Sequence, residues 1–163
     1  MSVHEKVNAL KKIVGPENVI DSKPALLIYS KDASPMRGKV PIAVVRPSST
    51  EEVREIVLWA NKTRTPLYPR SGGTSLWGAV PVVDGSVVVD LSRMNRVVSI
   101  DEKNLVCVVE PAITFGELEA VLAKQGLRFI MSPENGMGAT VGGNFASHGT
   151  GWGAGPNFSN QGD

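Results

Sequence analysis

A pair of glycines, Gly72-Gly73, stands between segments that favour strands, and it constrains the fold of this chain more than any other feature. Glycine has no Cβ atom to keep an anion away from the main chain, so successive N–H groups of such a loop can converge on phosphate oxygens. Ser71, Thr74 and Ser75 add hydroxyl donors. The loop has neither the lysine spacing of a P-loop nor the three-glycine spacing of a dinucleotide-binding turn. A phosphate site here therefore implies a different fold.

The segments around the glycine pair predict a βαβ unit. Residues 42–45 form a short β-rich run, and Ser49 with Glu52 gives a capping-box pattern that predicts the start of a helix. Residues 66–69 then predict a strand that enters the glycine loop. The loop would follow the carboxyl end of a strand, where ligands of α/β folds bind.

The other segments add both helices and strands, so the sequence predicts an α+β fold. An apolar stripe over 3–14 predicts an amphipathic helix. Thr114 with Glu117 is a second capping-box pattern, and its helix would end at Gly126. Further strands are predicted at 80–83, 87–91, 97–100 and 105–109, with a turn at Asp84-Gly85 between the first two.

The composition is that of a globular protein. Apolar residues make up 42% and charged residues 20% of the 163 residues, which argues against disorder. The net charge of +1 comes from scattered residues and gives no footprint for nucleic acid. No run approaches the roughly 20 apolar residues of a transmembrane segment. The single cysteine, Cys107, has no disulfide partner in the chain and is predicted to be a buried strand residue, so we expect a cytoplasmic protein.

Glycine is concentrated near the end of the chain, where nine of the 17 glycines lie between Gly136 and Gly162. Glycine costs about 0.5 to 1 kcal/mol relative to alanine in a helix or strand. This segment is therefore shaped for close backbone approach or is loosely ordered. No helix or strand is predicted after it, and we expect a fragment or one half of a split protein.

Three motifs occur in order at residues 69–76, 89–97 and 132–147, and 43–53 adds a fourth similarity. Together they resemble the FAD-binding domain of the vanillyl-alcohol oxidase and p-cresol methylhydroxylase superfamily, nearest to its D-lactate and glycolate dehydrogenase branch. The resemblance implies a two-lobed α+β domain, incomplete at its C-terminus, that holds FAD extended between its lobes. The implied divisions are an N-terminal helical segment at 1–40 and an FAD-binding domain at 41–163, with a first βαβ lobe at 41–78 and a strand-rich lobe at 79–163.

The resemblance also implies residues that contact FAD. The first glycine loop would cradle the pyrophosphate, and a side chain at Gly73 would then occupy the position of the anion. The second glycine-rich segment would run along the flavin and the ribityl chain. The implied contacts are Arg70, Ser71, Gly72, Gly73, Thr74, Ser75 and Leu76 in the first motif, and Pro133, Gly136, Met137, Ala139, Thr140, Gly142, Gly143, Asn144 and Ser147 in the second.

Two positions depart from the family pattern. Thr74 stands where members with a covalently attached flavin can have histidine, so we expect non-covalent FAD. Ala112 stands where the family usually has glycine. Members of the family also continue into a substrate domain that holds and deprotonates a 2-hydroxy acid. We therefore assign no catalytic residue and no metal ligand to this chain, and we expect the chain alone to be inactive.

Several alternatives stay open for single residues. The glycine pair alone could be an ordinary hairpin turn. Arg70 could pair with a phosphate or form an ordinary salt bridge. Trp77 and Trp152 could stack on an aromatic ring or pack in a core. His148 could carry a proton or be a hydrogen-bonded surface residue.

Three functions are compatible with these patterns. The first is the FAD-binding portion of a flavin-dependent 2-hydroxy-acid dehydrogenase, in which a hydride passes from the substrate α-carbon to the flavin. The second is a non-catalytic module that binds a nucleotide or a partner chain. The third is an inactive truncated product. Exposed sheet edges would favour a complementary chain or a homo-oligomer over a monomer.

Overall fold

The computed structural model describes residues 1–130, 132–133, 138–147, 149 and 151–152. The chain divides into two compact units, the first over Met1–Arg93 and the second beginning at Met94. This division lies later than the lobe boundary placed between residues 78 and 79, because a strand after that boundary pairs within the first unit. Helices and strands are mixed along the chain, so the predicted α+β class is confirmed.

The first unit is built around a four-stranded sheet of order β1-β2-β4-β3. Strand β1 is antiparallel to β2, whereas β2 and β3 both run parallel to β4. The last strand of the unit therefore lies between the two strands of the predicted βαβ segment. The elements are α1 (Val3–Val14), a 3-10 turn (Pro16–Asn18), β1 (Val19–Ile20), α2 (Lys23–Ile28), β2 (Ala43–Val45), α3 (Thr50–Thr63), β3 (Leu67–Arg70) and β4 (Val87–Asp90).

Both faces of this sheet are covered, as its valine-rich parallel strands require. On one face, Val45 and Val89 pack against α1 and α3, from which Leu10 and Ile56 are fully buried. On the other face, a smaller cluster of Val44, Val88 and Leu26 is joined by Tyr29 and Tyr68. The sheet is thus rigid along its length, and it fixes where β3 ends.

Helix α3 begins and ends on local signals in its sequence. The Ser49 hydroxyl accepts the Glu52 N–H at 3.2 Å, as the capping-box pattern predicts. The Glu52 carboxylate, however, accepts the N–H of Ser48 at 2.7 Å, one residue earlier than in a standard box. The helix ends at Arg64, whose φ of 53° is left-handed.

The second unit contains β5 (Val97–Asp101), β6 (Val106–Val109), α4 (Phe115–Ala123), β7 (Ser132–Pro133), α5 (Val141–Ala146) and β8 (Gly151–Trp152). Strands β5 and β6 form an antiparallel pair, and so do β7 and β8. Helix α4 opens on the predicted capping box of Thr114 and Glu117. Its Leu118 and Leu122 form a core with Ile113, against which the inner face of β5 and β6 packs.

One predicted strand, at 80–83, is wrong. Pro81 has no N–H to donate to a neighbouring strand, and its carbonyl accepts the N–H of Lys39 at 2.7 Å. The predicted turn at Asp84-Gly85 is present, with Gly85 at φ +76°, but it follows an irregular segment. Cys107 lies in a strand as predicted, yet it is half-buried rather than buried.

None of the helices in the described parts of the chain combines the length and the apolar composition that a membrane crossing needs.

Candidate functional site

The glycine loop, defined as residues 71–76, begins at the carboxyl end of β3. Because β3 and β4 are parallel, the chain must return to the other end of the sheet between them. It does so over residues 71–86 without forming a helix or a strand. A structureless connection of this length inside a compact unit is uncommon and is typically functional.

Gly73 is constrained in two ways. Its φ of +64° lies in the left-handed region, where other residues are strained. A Cβ atom there would lie 2.6 Å from Cζ of Arg70, far inside normal contact. The expectation that a side chain at Gly73 would fill the position of an anion stays a prediction, and the space nearest to such a side chain holds the Arg70 guanidinium.

The Arg70 guanidinium is held by the segment that follows α2. Its Nη1 donates to the carbonyl oxygen of Lys31 at 2.7 Å. Its Cζ lies 5.2 Å from the centre of the Tyr29 ring, within cation–π range. Within the described residues Arg70 forms no ion pair with a carboxylate, so the ordinary salt bridge left open by the sequence is absent there.

Tyr29 is itself fixed to the end of β4. Its hydroxyl donates to Oδ2 of Asp90 at 2.8 Å, and Oδ1 of Asp90 accepts the N–H of Ser92 at 2.9 Å. Burial of the phenol, followed by its hydrogen bond to Asp90, raises the pKa of Tyr29 to about 12. Asp90 lies opposite Arg70 on the neighbouring strand, so the group formed by Tyr29, Arg70 and Asp90 is anchored to the sheet.

A second anchor holds the far side of the loop. Oδ2 of Asp32 accepts the N–H of Ala79 at 2.7 Å, and the Ala33 N–H donates to the carbonyl of Ser75 at 3.2 Å. Burial raises the pKa of the Asp32 carboxyl, but hydrogen bonds from Ser34 and Ala79 outweigh it and leave the pKa below its usual value. Asp32 is thus an ionised anchor at neutral pH.

The outer part of the glycine loop faces solvent. Gly72 is exposed, which leaves its backbone open to approach. The Ser75 hydroxyl accepts the N–H of Trp77 at 3.1 Å. Leu76 is 65% exposed and Trp77 is 85% exposed, so Trp77 does not pack in the core of the first unit.

The second glycine-rich segment packs closely on residues 111–115. Gly142 donates its N–H to the carbonyl of Pro111 at 2.8 Å, and a Cβ at Gly142 would lie 2.7 Å from that same oxygen. The Ala139 carbonyl accepts the N–H of Phe115 at 2.9 Å. Alanine at 112 is accommodated, since its N–H donates to the carbonyl of Met94 at 2.9 Å.

Asn144 carries a buried donor that has no acceptor in the described part of the chain. Its side chain is 8% exposed, and within the described residues Nδ2 has no hydrogen-bond acceptor. An unsatisfied buried donor costs about 1 to 3 kcal/mol, so an acceptor supplied by a ligand would be stabilising there. The Ser147 hydroxyl, by contrast, donates to the carbonyl of Gly143 at 3.0 Å.

The structure brings the predicted contacts together in two groups. Arg70 and residues 71–76 are consecutive on one connection, and residues 139–147 surround α5. Pro133 lies in β7 and Trp152 in β8. The predicted residues that lie outside the described residues are Gly136, Met137 and His148.

Sequence reasoning missed Tyr29, Asp32 and Asp90. Tyr29 and Asp90 are separated by 61 residues, and they meet because Tyr29 packs with the cluster of Val44, Val88 and Leu26 on one face of the sheet. In the portion of the chain that the structure describes, no three His, Cys, Asp or Glu side chains are grouped to hold a metal ion.

Comparisons with known proteins identify the same region. The family described as FAD binding domain matches residues 41–160. Glycolate oxidase subunit GlcD of Bacillus subtilis is 34% identical over 135 residues, which are 83% of this chain and 29% of that protein. The D-lactate dehydrogenase of Anaerostipes hadrus is 30% identical over 138 residues, which are 84% of this chain and 29% of that protein.

A solved structure shares the fold. The structure of p-cresol methylhydroxylase with substrate bound superimposes with a TM-score of 0.80 at 26% identity, and the match covers 90% of this chain and 29% of that one. The chain thus spans less than a third of the length of each of these relatives.

Proposed function

This chain belongs to the FAD binding domain family of FAD-linked oxidoreductases, and on that premise we propose that it binds FAD non-covalently as part of a 2-hydroxy-acid dehydrogenase of the D-lactate or glycolate type. The observation that carries the proposal is the glycine loop at the carboxyl end of β3. It lies inside the matched region, is held by the sheet and exposes Gly72.

The glycine loop would hold the pyrophosphate of FAD. An exposed glycine lets an anion approach the main chain closely, and hydroxyl groups on the same loop supply further donors. The Arg70 guanidinium lies beside Gly73 and adds positive charge next to the loop. This assignment covers Arg70 and residues 71–76.

The second glycine-rich segment would lie along the flavin side of the cofactor. Its fit rests on the buried Nδ2 of Asn144, which has no acceptor among the described residues and can donate to an acceptor on the cofactor. Close packing of Gly142 on Pro111 fixes the backbone that carries Asn144. The other assigned residues are Pro133, Gly136, Met137, Ala139, Thr140, Gly143 and Ser147.

When bound, FAD would supply the acceptor for a hydride from the α-carbon of the substrate. The residues of this chain would bind and orient the cofactor. The relatives are longer than this chain, and we place the groups that bind and deprotonate the 2-hydroxy acid in the part of the relatives that this chain does not span.

The non-covalent attachment is supported by the residues at the loop. Thr74 has no nucleophile suited to a flavin linkage. Cys107 lies in β6 and packs on the core around α4. The name of the Bacillus subtilis relative denotes a subunit, and we include assembly with a second chain in the proposal.

Titration of the purified chain with FAD tests this function. We expect saturable binding seen as a change in flavin fluorescence, and weaker binding by Asn144→Leu, which removes the buried donor. Leu58→Ala, an exposed change on α3, is the matched control and should bind as the unaltered chain does. Absence of FAD binding by the folded chain would refute the proposal.

A further inference from the structure

We propose that Arg70 is a positioning residue: its guanidinium holds the glycine loop in its binding conformation by joining Gly73 to Tyr29 and Lys31. This inference extends the proposed function, and only its measurement of FAD binding rests on that function. It concerns how the loop is shaped before any ligand arrives.

The guanidinium has protein groups on three sides. Its Nη1 donates to the Lys31 carbonyl at 2.7 Å, and its Cζ lies 5.2 Å from the centre of the Tyr29 ring. Against Gly73 it fills the space that a Cβ would occupy, with Nε 2.7 Å from that position. The side chain therefore acts as a spacer between the loop and the segment after α2.

The platform below the guanidinium is rigid. The Tyr29 hydroxyl donates to Asp90, a buried residue whose other carboxylate oxygen accepts the N–H of Ser92. Asp90 and Arg70 face each other across β4 and β3. Through Arg70, the glycine loop is therefore held in position relative to the sheet rather than relative to another loop.

The contacts of the guanidinium explain how it holds the loop. Its Nη1 donates to Lys31, and the planar group lies against both the Tyr29 ring and Gly73. Moving the guanidinium away from Lys31 and Tyr29 would break both contacts and uncover Gly73. The loop would therefore lose its support if Arg70 were released.

The test combines hydrogen exchange of the loop amides in the absence of FAD with FAD titration. Arg70→Met removes the guanidinium and its charge, and Arg70→Lys keeps the charge but lacks the planar fork. Arg54→Met is the matched control, because it removes one exposed positive charge from α3. Tyr29→Leu removes the platform, whereas Tyr29→Phe keeps the ring.

We expect both Arg70 variants and Tyr29→Leu to exchange the amides of 71–76 at least about tenfold faster and to bind FAD about tenfold more weakly, the size of one lost charge-assisted hydrogen bond. Tyr29→Phe should weaken FAD binding less than Tyr29→Leu does, because it keeps the ring and loses only the hydrogen bond to Asp90. Arg70→Met combined with Tyr29→Leu should be no weaker than either change alone.

Two results would overturn the inference. Wild-type loop exchange in a folded Arg70→Met chain would show that the loop needs no spacer. FAD binding by Arg70→Lys at the affinity of the unaltered chain, together with weaker binding by Arg70→Met, would show that only the positive charge matters. If the unaltered chain binds no FAD, the proposed function fails, and the exchange measurement alone still decides whether Arg70 positions the loop.

Discussion

Changing Gly73 to alanine separates the two reasons for a glycine at this position, and Gly85 provides the matched control. Both glycines lie in the first unit with left-handed φ values, +64° and +76°. A Cβ at Gly85 would meet nothing within 4 Å, whereas a Cβ at Gly73 would meet the Arg70 guanidinium. The two variants therefore share the backbone strain and differ only in the contact.

The strain alone costs about 1 kcal/mol in each variant. In Gly73→Ala the guanidinium must also move away from Lys31 and Tyr29. Loss of a hydrogen bond from a charged donor costs about 1.5 kcal/mol, and loss of an exposed cation–π contact costs about 0.5 kcal/mol. Gly73→Ala should therefore be less stable than Gly85→Ala by about 2 kcal/mol, or about 4 to 8 °C in the midpoint of thermal unfolding.

Thermal unfolding followed by circular dichroism measures the difference directly. The same pair of changes in an Arg70→Met background is the control, because the excess cost at Gly73 should disappear once the guanidinium is gone. Equal losses of stability in Gly73→Ala and Gly85→Ala would refute the reasoning, since the guanidinium would then yield at no cost.

Three further predictions concern the pKa of Tyr29, the attachment of the flavin and turnover. Tyr29 should ionise near pH 12 in a spectrophotometric titration, and Asp90→Asn should lower its pKa. Because the pKa of Tyr29 is raised in the folded chain, its stabilisation is complete below about pH 10 and is lost as pH rises toward 12; ionisation near pH 10 would contradict this. Acid precipitation of the FAD-loaded chain should leave all the flavin in the supernatant, whereas a yellow pellet would indicate a covalent bond. The isolated chain supplied with FAD and an artificial acceptor should not oxidise D-lactate or glycolate, and steady-state turnover would show that the chain holds catalytic groups.

The parts of the fold set by short-range signals were predictable. The helix after Ser49 and the strand before the glycine loop depend on neighbouring residues, and both are present. The strand predicted at 80–83 is absent. Its valines favour a strand, but the carbonyl of Pro81 accepts a hydrogen bond from a distant loop instead. Elements that depend on neighbouring residues were thus predicted correctly, whereas the segment at 80–83, which pairs with a distant part of the chain, was not.

The candidate site was predictable only in part, for the same reason. The glycine loop is one continuous motif and was identified from it. The groups that fix the loop come from the segment after α2 and from the end of β4, and neither Tyr29 nor Asp90 carries a local sign of that role. For Arg70 the residue was identified, but its partners were not, because Tyr29 and Lys31 lie about 40 residues earlier in the chain, on the segment after α2.

The central position of β4 imposes an order of assembly on the first unit. Although β2 and β3 are joined by a single helix, they share no hydrogen bonds, because β4 lies between them. Residues 43–76 leave the ribosome before residues 87–90, which form the strand between β2 and β3, have been made. Arg70 and Asp90 come together only when residues 87–90 pair with β3, so the group of residues that fixes the glycine loop is completed by the last strand of the unit rather than by the segment that carries its glycines.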